Sequence, residues 1–188
     1  MKFVTNGWRT ATDERLMEAV ATGNERAFAE LYRRYARRLQ GFFSVRTADG
    51  AAAADFMQEL FMRLWVARAS YSKGRPVAPW LFTLAYNLLC NDLRHRAVEA
   101  AWAEEARREA RLEEETAPLG LDDDGFDRGL ARAVAELPEA DRMLFALRYE
   151  EGFALADVAR IMGLPLGTVK SRLHRLTNVL RKKLDRHD

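Results

Sequence analysis

The segment LPLGTVKSRLHRL, residues 164–176, carries the side chains of this sequence that are best suited to contact DNA. At about 100° per residue, one helix face is predicted to be buried, and it consists of Val169, Leu173, Leu176 and Leu180. On the other face, short hydroxyl side chains allow close approach to a major groove, arginine bonds guanine in a bidentate manner, and lysine or serine binds phosphate. The candidate DNA-binding residues of this face are Thr168, Lys170, Ser171, Arg172, His174 and Arg175.

The charge of this segment separates it from an ordinary solvated helix. Between Pro165 and Leu184 there is no acidic residue, and seven residues are basic when His174 is counted. The preceding segment ALADVARIM is also helix-like, and a short turn at Gly163 joins the two, which is typical of a helix-turn-helix. Such patterns also arise by chance, so an amphipathic helix that only packs a small domain is the alternative.

The elements that hold this segment are predicted to be helices throughout. Strand-like alternation is absent, the five prolines lie at element boundaries, and Thr12 and Asn24 are suited to cap the first two helices. The residues spaced to form one buried stripe of the second helix are Phe28, Leu31, Tyr32, Tyr35 and Leu39. The predicted fold class is all-α: two small helical domains joined by an acidic linker.

The charge changes sign along the chain although the net charge is only +2. Residues 1–96 hold 15 basic and 9 acidic side chains, residues 97–127 hold 3 and 11, and residues 128–188 hold 12 and 8. Two basic blocks around an acidic one indicate two polyanion-binding modules, although solvated faces with an acidic tether explain the charges equally well. The predicted divisions are a first domain at 12–96, a linker at 97–126 and a second domain at 127–186.

Several function classes find no support in the sequence. Cys90 is the only cysteine, which excludes an intrachain disulfide and a cysteine-based zinc site. His95, His174 and His187 lack metal-ligand spacing, and there is no glycine-rich phosphate loop or nucleophile motif, so we expect no enzyme, cofactor or metal. With neither a signal peptide nor a run of roughly 20 apolar residues, the chain is expected to be cytoplasmic, without membrane insertion.

The stretch GFALADVARIMGLPLGTVKSRLHRLTNVLRKKL closely resembles region 4 of bacterial sigma factors of the sigma-70 family, especially the extracytoplasmic-function group. Independently of this match, the upstream part of the chain resembles region 2 of the same family. NERAFAELYRRYARRL resembles region 2.1, DFMQELFMRLW region 2.2, and RPVAPWLFTLAYNLLCNDLRHR regions 2.3 and 2.4. The matches lie in the family's order and cover most of the chain outside the linker.

The resemblance implies a role for each block. Region 4 reads the −35 promoter element, and regions 2.3 and 2.4 capture the melted −10 element, where aromatic rings and cations suit an extruded base. An aromatic side chain at a helix start, such as that of Trp80, is more often part of a core than a stacking platform. The residues matched to −10 binding are Tyr71, Lys73, Arg75, Trp80, Asn87, Asn91 and Arg94.

Region 2.2 implies docking on the β′ coiled coil of core RNA polymerase, and region 4 implies contact with the β flap. Asp55, Gln58 and Glu59 match the docking positions and share a polar helix face, which could also be merely solvated. Arg33 and Arg34 either add to this dock or keep the helix soluble. An anti-sigma factor is a possible further partner, and the acidic linker is either an active element near the RNA exit path or a passive tether.

The interpretation that follows is a promoter-specificity subunit of RNA polymerase that reads −10 and −35 elements. A stand-alone helix-turn-helix regulator would need only the second domain and leaves the region 2 similarity unexplained. A family member reduced to a protein-interaction module is a further alternative. The segment before Gln58 is rich in alanine where the family is more acidic, which puts the exact polymerase contacts in question.

Overall fold

The structure is a computed structural model that describes residues 7–47, 50–110 and 125–184. Every regular element in this part of the chain is helical, which confirms the predicted all-α class. The chain divides into two compact units, Met1–Asp92 and Leu93–Asp188. No helix within the described ranges is long and apolar enough to cross a membrane.

The first unit is built from helices, and the first two of them begin at N-capping residues. Its elements are α1 (Asp13–Ala21), α2 (Glu25–Ser44), α3 (Gly50–Ala67), a 3-10 turn (Arg68–Ser70) and the first part of α4 (Val77–Ala110). The Thr12 hydroxyl accepts a hydrogen bond from the backbone N–H of Arg15, and the Asn24 amide oxygen accepts one from that of Ala27. Both predicted N-caps are therefore confirmed.

The core of the first unit joins α1, α2, α3 and α4. Its fully buried large side chains include Leu16, Met17, Leu31, Leu39, Phe42, Phe43, Leu60, Leu64, Leu81 and Phe82. The predicted stripe of α2 is correct for Leu31, Tyr35 and Leu39, which are buried. It is wrong for Tyr32, whose side chain is 46% exposed because it faces an open groove rather than the core.

A polar network ties α1 and the segment before it to α2, and its centre is Arg34. The guanidinium of Arg34 donates through Nε to Glu30, through Nη1 to Asp13, and through Nη2 to the carbonyl oxygens of Trp8 and Arg9. The Tyr35 hydroxyl donates to the other oxygen of Asp13 at 2.5 Å. Burial, with the neighbouring Asp13 carboxylate, raises the pKa of Tyr35, so the hydroxyl keeps its proton at ordinary pH.

Glu30 is the buried anion of this network. The bidentate hydrogen bond from Arg33 lowers the pKa of Glu30 from 4.5 to about 2, with Arg34 acting in the same direction and burial opposing them. A carboxyl whose pKa is lower in the folded state than in the unfolded chain stabilises the fold above the unfolded value. That stabilisation is lost as the pH falls through about 2.

The second unit contains the continuation of α4 to Ala110, followed by four further helices in the described residues. They are α5 (Gly125–Ala135), α6 (Glu139–Phe145) with a π-helical continuation at Ala146–Glu150, α7 (Leu155–Met162) and α8 (Leu166–Leu184). The buried apolar side chains that α6, α7 and α8 contribute include Met143, Leu144, Leu147, Val158, Ile161, Val169, Leu176 and Leu180. The α4 helix continues past residue 96, where the first domain was predicted to end, so the start of the predicted linker is helical up to Ala110.

We expect Glu30→Gln to lower the free energy of unfolding at neutral pH by about 1–3 kcal/mol, because it leaves charged donors of two arginines poorly satisfied. The deficit should shrink as the pH is lowered from about 4.5 toward 2, where the wild-type carboxyl also becomes neutral. Urea unfolding followed by circular dichroism across this pH range measures it.

Glu59→Gln is the matched control, since Glu59 pairs with Arg63 on the surface of α3 with 44% of its side chain exposed. An exposed pair of this type contributes at most about 0.5 kcal/mol. Equal losses for both variants, or a Glu30→Gln deficit that does not change with pH, would contradict the assigned network.

Candidate nucleic-acid interface

The two helices α7 and α8 form the predicted helix-turn-helix. The α7 helix ends at Gly163, whose φ of +65° is the left-handed conformation that glycine adopts without a steric penalty. Val158 and Ile161 of α7 are buried, as are Val169, Leu176 and Leu180 of α8, so the angular direction of α8 is fixed by its apolar face. Leu173, also predicted on that face, is only half-buried. The opposite face is left on the surface.

The residues predicted to bind the −35 element lie on that surface. Lys170, Ser171, His174 and Arg175 are exposed, and Thr168 and Arg172 are half-buried. The Ser171 hydroxyl donates to the carbonyl oxygen of Thr168 at 3.0 Å, and the His174 Nε2 and Asn178 Nδ2 atoms lie 3.1 Å apart. Asn178 was not among the predicted site residues, although its side chain is exposed one turn beyond His174.

One cation of this face has an anionic partner from another helix. The Nη2 atom of Arg175 lies 3.6 Å from Oδ2 of Asp141, which belongs to the first turn of α6. The Asp141 side chain is 11% exposed and that of Arg175 is 66% exposed. No sequence pattern predicts this pair, because the two residues are 34 positions apart and belong to different helices.

The loop before α4 holds the first residues predicted to bind the −10 element. Tyr71 and Trp80 are buried, with their ring centroids 5.5 Å apart, and the Tyr71 hydroxyl donates to the carbonyl oxygen of Arg75 at 2.5 Å. Burial, and then the nearby charges of α1, raise the pKa of Tyr71. Both rings are therefore packed against each other in the free chain, and their part in −10 binding stays a prediction.

The polar residues predicted for −10 binding are more accessible than the rings. Lys73 is at the loop tip with 84% of its side chain exposed, and its ammonium group is 3.5 Å from Glu18. The Arg75 side chain is half-buried. Asn87, Asn91 and Arg94 are exposed along α4 at spacings of four and three residues, which places them on one helix face.

An open apolar groove lies between α2 and α3 in the first unit. It has a volume of about 940 Å³, and its lining includes Phe28, Tyr32, Gln58, Met62, Trp65 and Val66. The rings of Phe28 and Trp65 meet edge to face with centroids 5.1 Å apart. Met62 is 56% exposed and Val66 is 78% exposed, which is unusual for apolar side chains of a small helical unit.

Only some of the residues predicted to bind polymerase lie at or near this groove. Gln58 lines it, Asp55 is exposed on the same helix, and Glu59 is half-exposed with its carboxylate bonded to Arg63. Arg33 is largely exposed while paired with Glu30. Arg34 uses all three guanidinium nitrogens within the unit, so its geometry supports a structural role instead of the predicted polymerase contact.

The structure also bears on metal and linker assignments. Within the residues that are described, no group of three or more His, Cys, Asp or Glu side chains could hold a metal ion, and Cys90 is a half-buried free thiol. Most of the acidic side chains assigned to the linker lie outside the described residues.

Comparison with known proteins identifies both halves of the chain. Residues 31–98 match the family model described as Sigma-70 region 2, and residues 127–176 match that described as Sigma-70, region 4. The RNA polymerase sigma factor CarQ of Myxococcus xanthus is 31% identical over 168 residues, covering 89% of this chain and 95% of CarQ. The ECF RNA polymerase sigma-E factor of Escherichia coli K12 is 29% identical over 181 residues, covering 92% and 94%.

A solved structure agrees with these matches. The sigma factor RpoE of Bartonella quintana, crystallised with the anti-sigma factor NepR, is 25% identical with a TM-score of 0.66, over 84% of this chain and 96% of that one. Both family segments thus occur in one chain, in the same order as predicted and on an all-helical fold. The chain belongs to the extracytoplasmic-function group of the sigma-70 family, whose members are promoter-specificity subunits of RNA polymerase and transcription initiation factors rather than catalytic enzymes.

Proposed function

We propose a division of labour in which residues 12–96 dock on core polymerase and hold the −10 element, and residues 127–186 read the −35 element. The observation that carries this proposal is the pairing, in one chain, of an exposed apolar groove with an acid-free polar helix face. Residues 97–126 connect the two parts, beginning as the end of α4. The chain itself would supply no catalysis and no cofactor, and it would act in the cytoplasm, where the core enzyme works.

The groove between α2 and α3 is the proposed polymerase dock. A helical partner such as the β′ coiled coil can insert apolar side chains between Tyr32, Met62 and Val66, which are all solvent-exposed in the free chain. Burying exposed apolar area is the main favourable term in such association. Gln58 at the groove wall and Asp55 beside it would form the polar rim that fixes the partner's register.

The loop tip and the exposed face of α4 form the proposed −10 site. Lys73 and Arg94 supply positive charge for a single-stranded backbone, and Asn87 and Asn91 supply donors and acceptors for base edges. The buried Tyr71 and Trp80 would support the loop from below. In this proposal, polar side chains capture the strand and the aromatic pair keeps the loop in shape.

The exposed face of α8 is the proposed −35 reader, with the β flap holding the second unit on the polymerase. Arg175 is suited to a guanine edge because its planar guanidinium is largely exposed on the outward face, while Lys170 is suited to phosphate. Each interface alone would be weak and salt-dependent, and core polymerase would make the combined complex specific by holding both at a fixed separation. A Bartonella relative was solved with an anti-sigma factor, and we propose that this chain has such a regulator too.

The direct test of this function is run-off transcription with purified core polymerase, this chain and fragmented genomic DNA. We expect starts at a small set of sites that share two short elements, and no specific starts with core alone. A chain that binds DNA sites but never associates with core polymerase would instead be a stand-alone helix-turn-helix regulator.

We expect Val66→Glu to weaken binding to core polymerase by about 1–2 kcal/mol, because it puts an unpaired charge into the proposed dock. Fluorescence anisotropy of labelled chain titrated with core polymerase measures this affinity. Val45→Glu is the matched control, since Val45 is 72% exposed on the turn after α2 and does not line the groove. Equal loss of affinity for both variants, or no loss for Val66→Glu, would show that the groove is not part of the interface with core polymerase.

We expect Arg175→Ala to relax selectivity at one −35 base pair by about 1–3 kcal/mol, which is the value of a bidentate contact. Promoter binding by the holoenzyme, measured on fragments with each −35 base pair changed in turn, reports the effect. Arg160→Ala removes an exposed arginine of α7 and should leave base preference unchanged. A loss that is equal on all fragments would make Arg175 a phosphate contact.

A further inference from the structure

Asp141 is a buried carboxylate placed at the edge of the proposed −35 reading face. The residue is 8% exposed and belongs to the first turn of α6, whereas Arg175 belongs to α8. A carboxylate withdrawn from water is costly unless a cation or hydrogen-bond donors compensate it. The cation paired with it among the described residues is Arg175, at 3.6 Å between Nη2 and Oδ2.

The pair is asymmetric in a way that suits recognition. The Asp141 side chain is 11% exposed and therefore fixed by packing, while the Arg175 side chain is 66% exposed and projects from the surface. A guanidinium carries five N–H donors in one plane. Each two-donor edge of the guanidinium, Nε with Nη2 or Nη1 with Nη2, includes Nη2. At 3.6 Å the Asp141 carboxylate lies beyond hydrogen-bond distance of Nη2, so it attracts that end of the side chain without using a donor, and both edges stay available for a base edge.

We infer that Asp141 is a positioning residue for base reading: it holds the Arg175 guanidinium in an orientation suited to a guanine edge before DNA arrives. This inference rests on the proposed −35 function of α8. A free arginine loses much rotamer freedom when it is immobilised on a base, and a preset side chain loses less. The contribution of Asp141 therefore belongs to selectivity at one base pair and not to general DNA affinity.

A second ion pair in the same unit shows what an ordinary surface pair looks like here. Asp157 and Arg160 lie three residues apart on α7, with 3.1 Å between Oδ1 and Nη1. Both belong to one helix, and the Asp157 side chain is 27% exposed. Asp157→Asn therefore removes the same charge from the same unit without disturbing a contact between α6 and α8.

The test is a double-mutant cycle on the holoenzyme, formed from core polymerase and the full-length chain. The probes are a promoter fragment mapped by run-off transcription and its single-base-pair −35 variants. We expect Asp141→Asn to reduce discrimination at the base pair read by Arg175 roughly two- to tenfold, within the range of coupling between contacting residues. In the Arg175→Ala background the same change should leave discrimination at that pair unaltered.

Two controls separate positioning from other roles. Asp157→Asn should leave discrimination unchanged, and the thermal midpoint of Asp141→Asn should stay close to that of the wild type. If Asp141 only stabilised the positive N-terminal end of α6, Asp141→Asn would lower the thermal midpoint and leave base preference intact. That result would overturn the inference. A uniform gain in affinity on every fragment would mean that the Asp141 charge only repels DNA. That result would also overturn the inference.

The cycle also keeps this inference distinct from the proposed function. If wild-type holoenzyme starts transcription at mapped promoters but Asp141→Asn shows no coupling to Arg175, only the positioning role fails. If wild-type chain forms no active holoenzyme, the proposed function fails first, and the positioning role falls with it.

Discussion

The burial of one apolar face on each helix is the constraint on which this molecule depends. Val169, Leu176 and Leu180 fix the rotation of α8 about its axis, and that rotation decides which polar side chains reach the surface. On α2 and α3, by contrast, part of the apolar surface stays uncovered and forms an open groove. Two small cores thus leave two exposed faces, a polar one that we propose binds DNA and an apolar one that we propose binds protein.

The two faces explain why a chain with a net charge of only +2 can serve as a promoter reader. Cations on the outward side of α8 and around the loop before α4 lie where we propose that bases are read, so they attract phosphate at those positions. Internal pairs consume other cations. Arg34 serves the contact between α1 and α2, and Arg33 pairs with the buried Glu30. Which arginines remain available to partners is therefore decided by packing as much as by composition.

Features that depend on neighbouring residues could be predicted from the sequence, and features that depend on distant ones could not. The caps at Thr12 and Asn24 and the exposed face of α8 follow from spacings of three or four residues. Tyr32 has the periodicity of a core residue, and only the arrangement of α3 leaves it exposed. The bond between Arg34 and Asp13 joins residues 21 positions apart, which no helical periodicity reveals.

We propose that core polymerase combines two weak promoter contacts of this chain into one specific interaction. Promoter affinity of the chain alone and of the holoenzyme, measured on the same mapped fragment at the same salt concentration, tests this claim most directly. We expect the holoenzyme to bind at least about 100-fold more tightly and to lose this advantage when either element is replaced. Equal affinity and selectivity for the isolated chain would contradict it and would describe a self-sufficient DNA-binding protein.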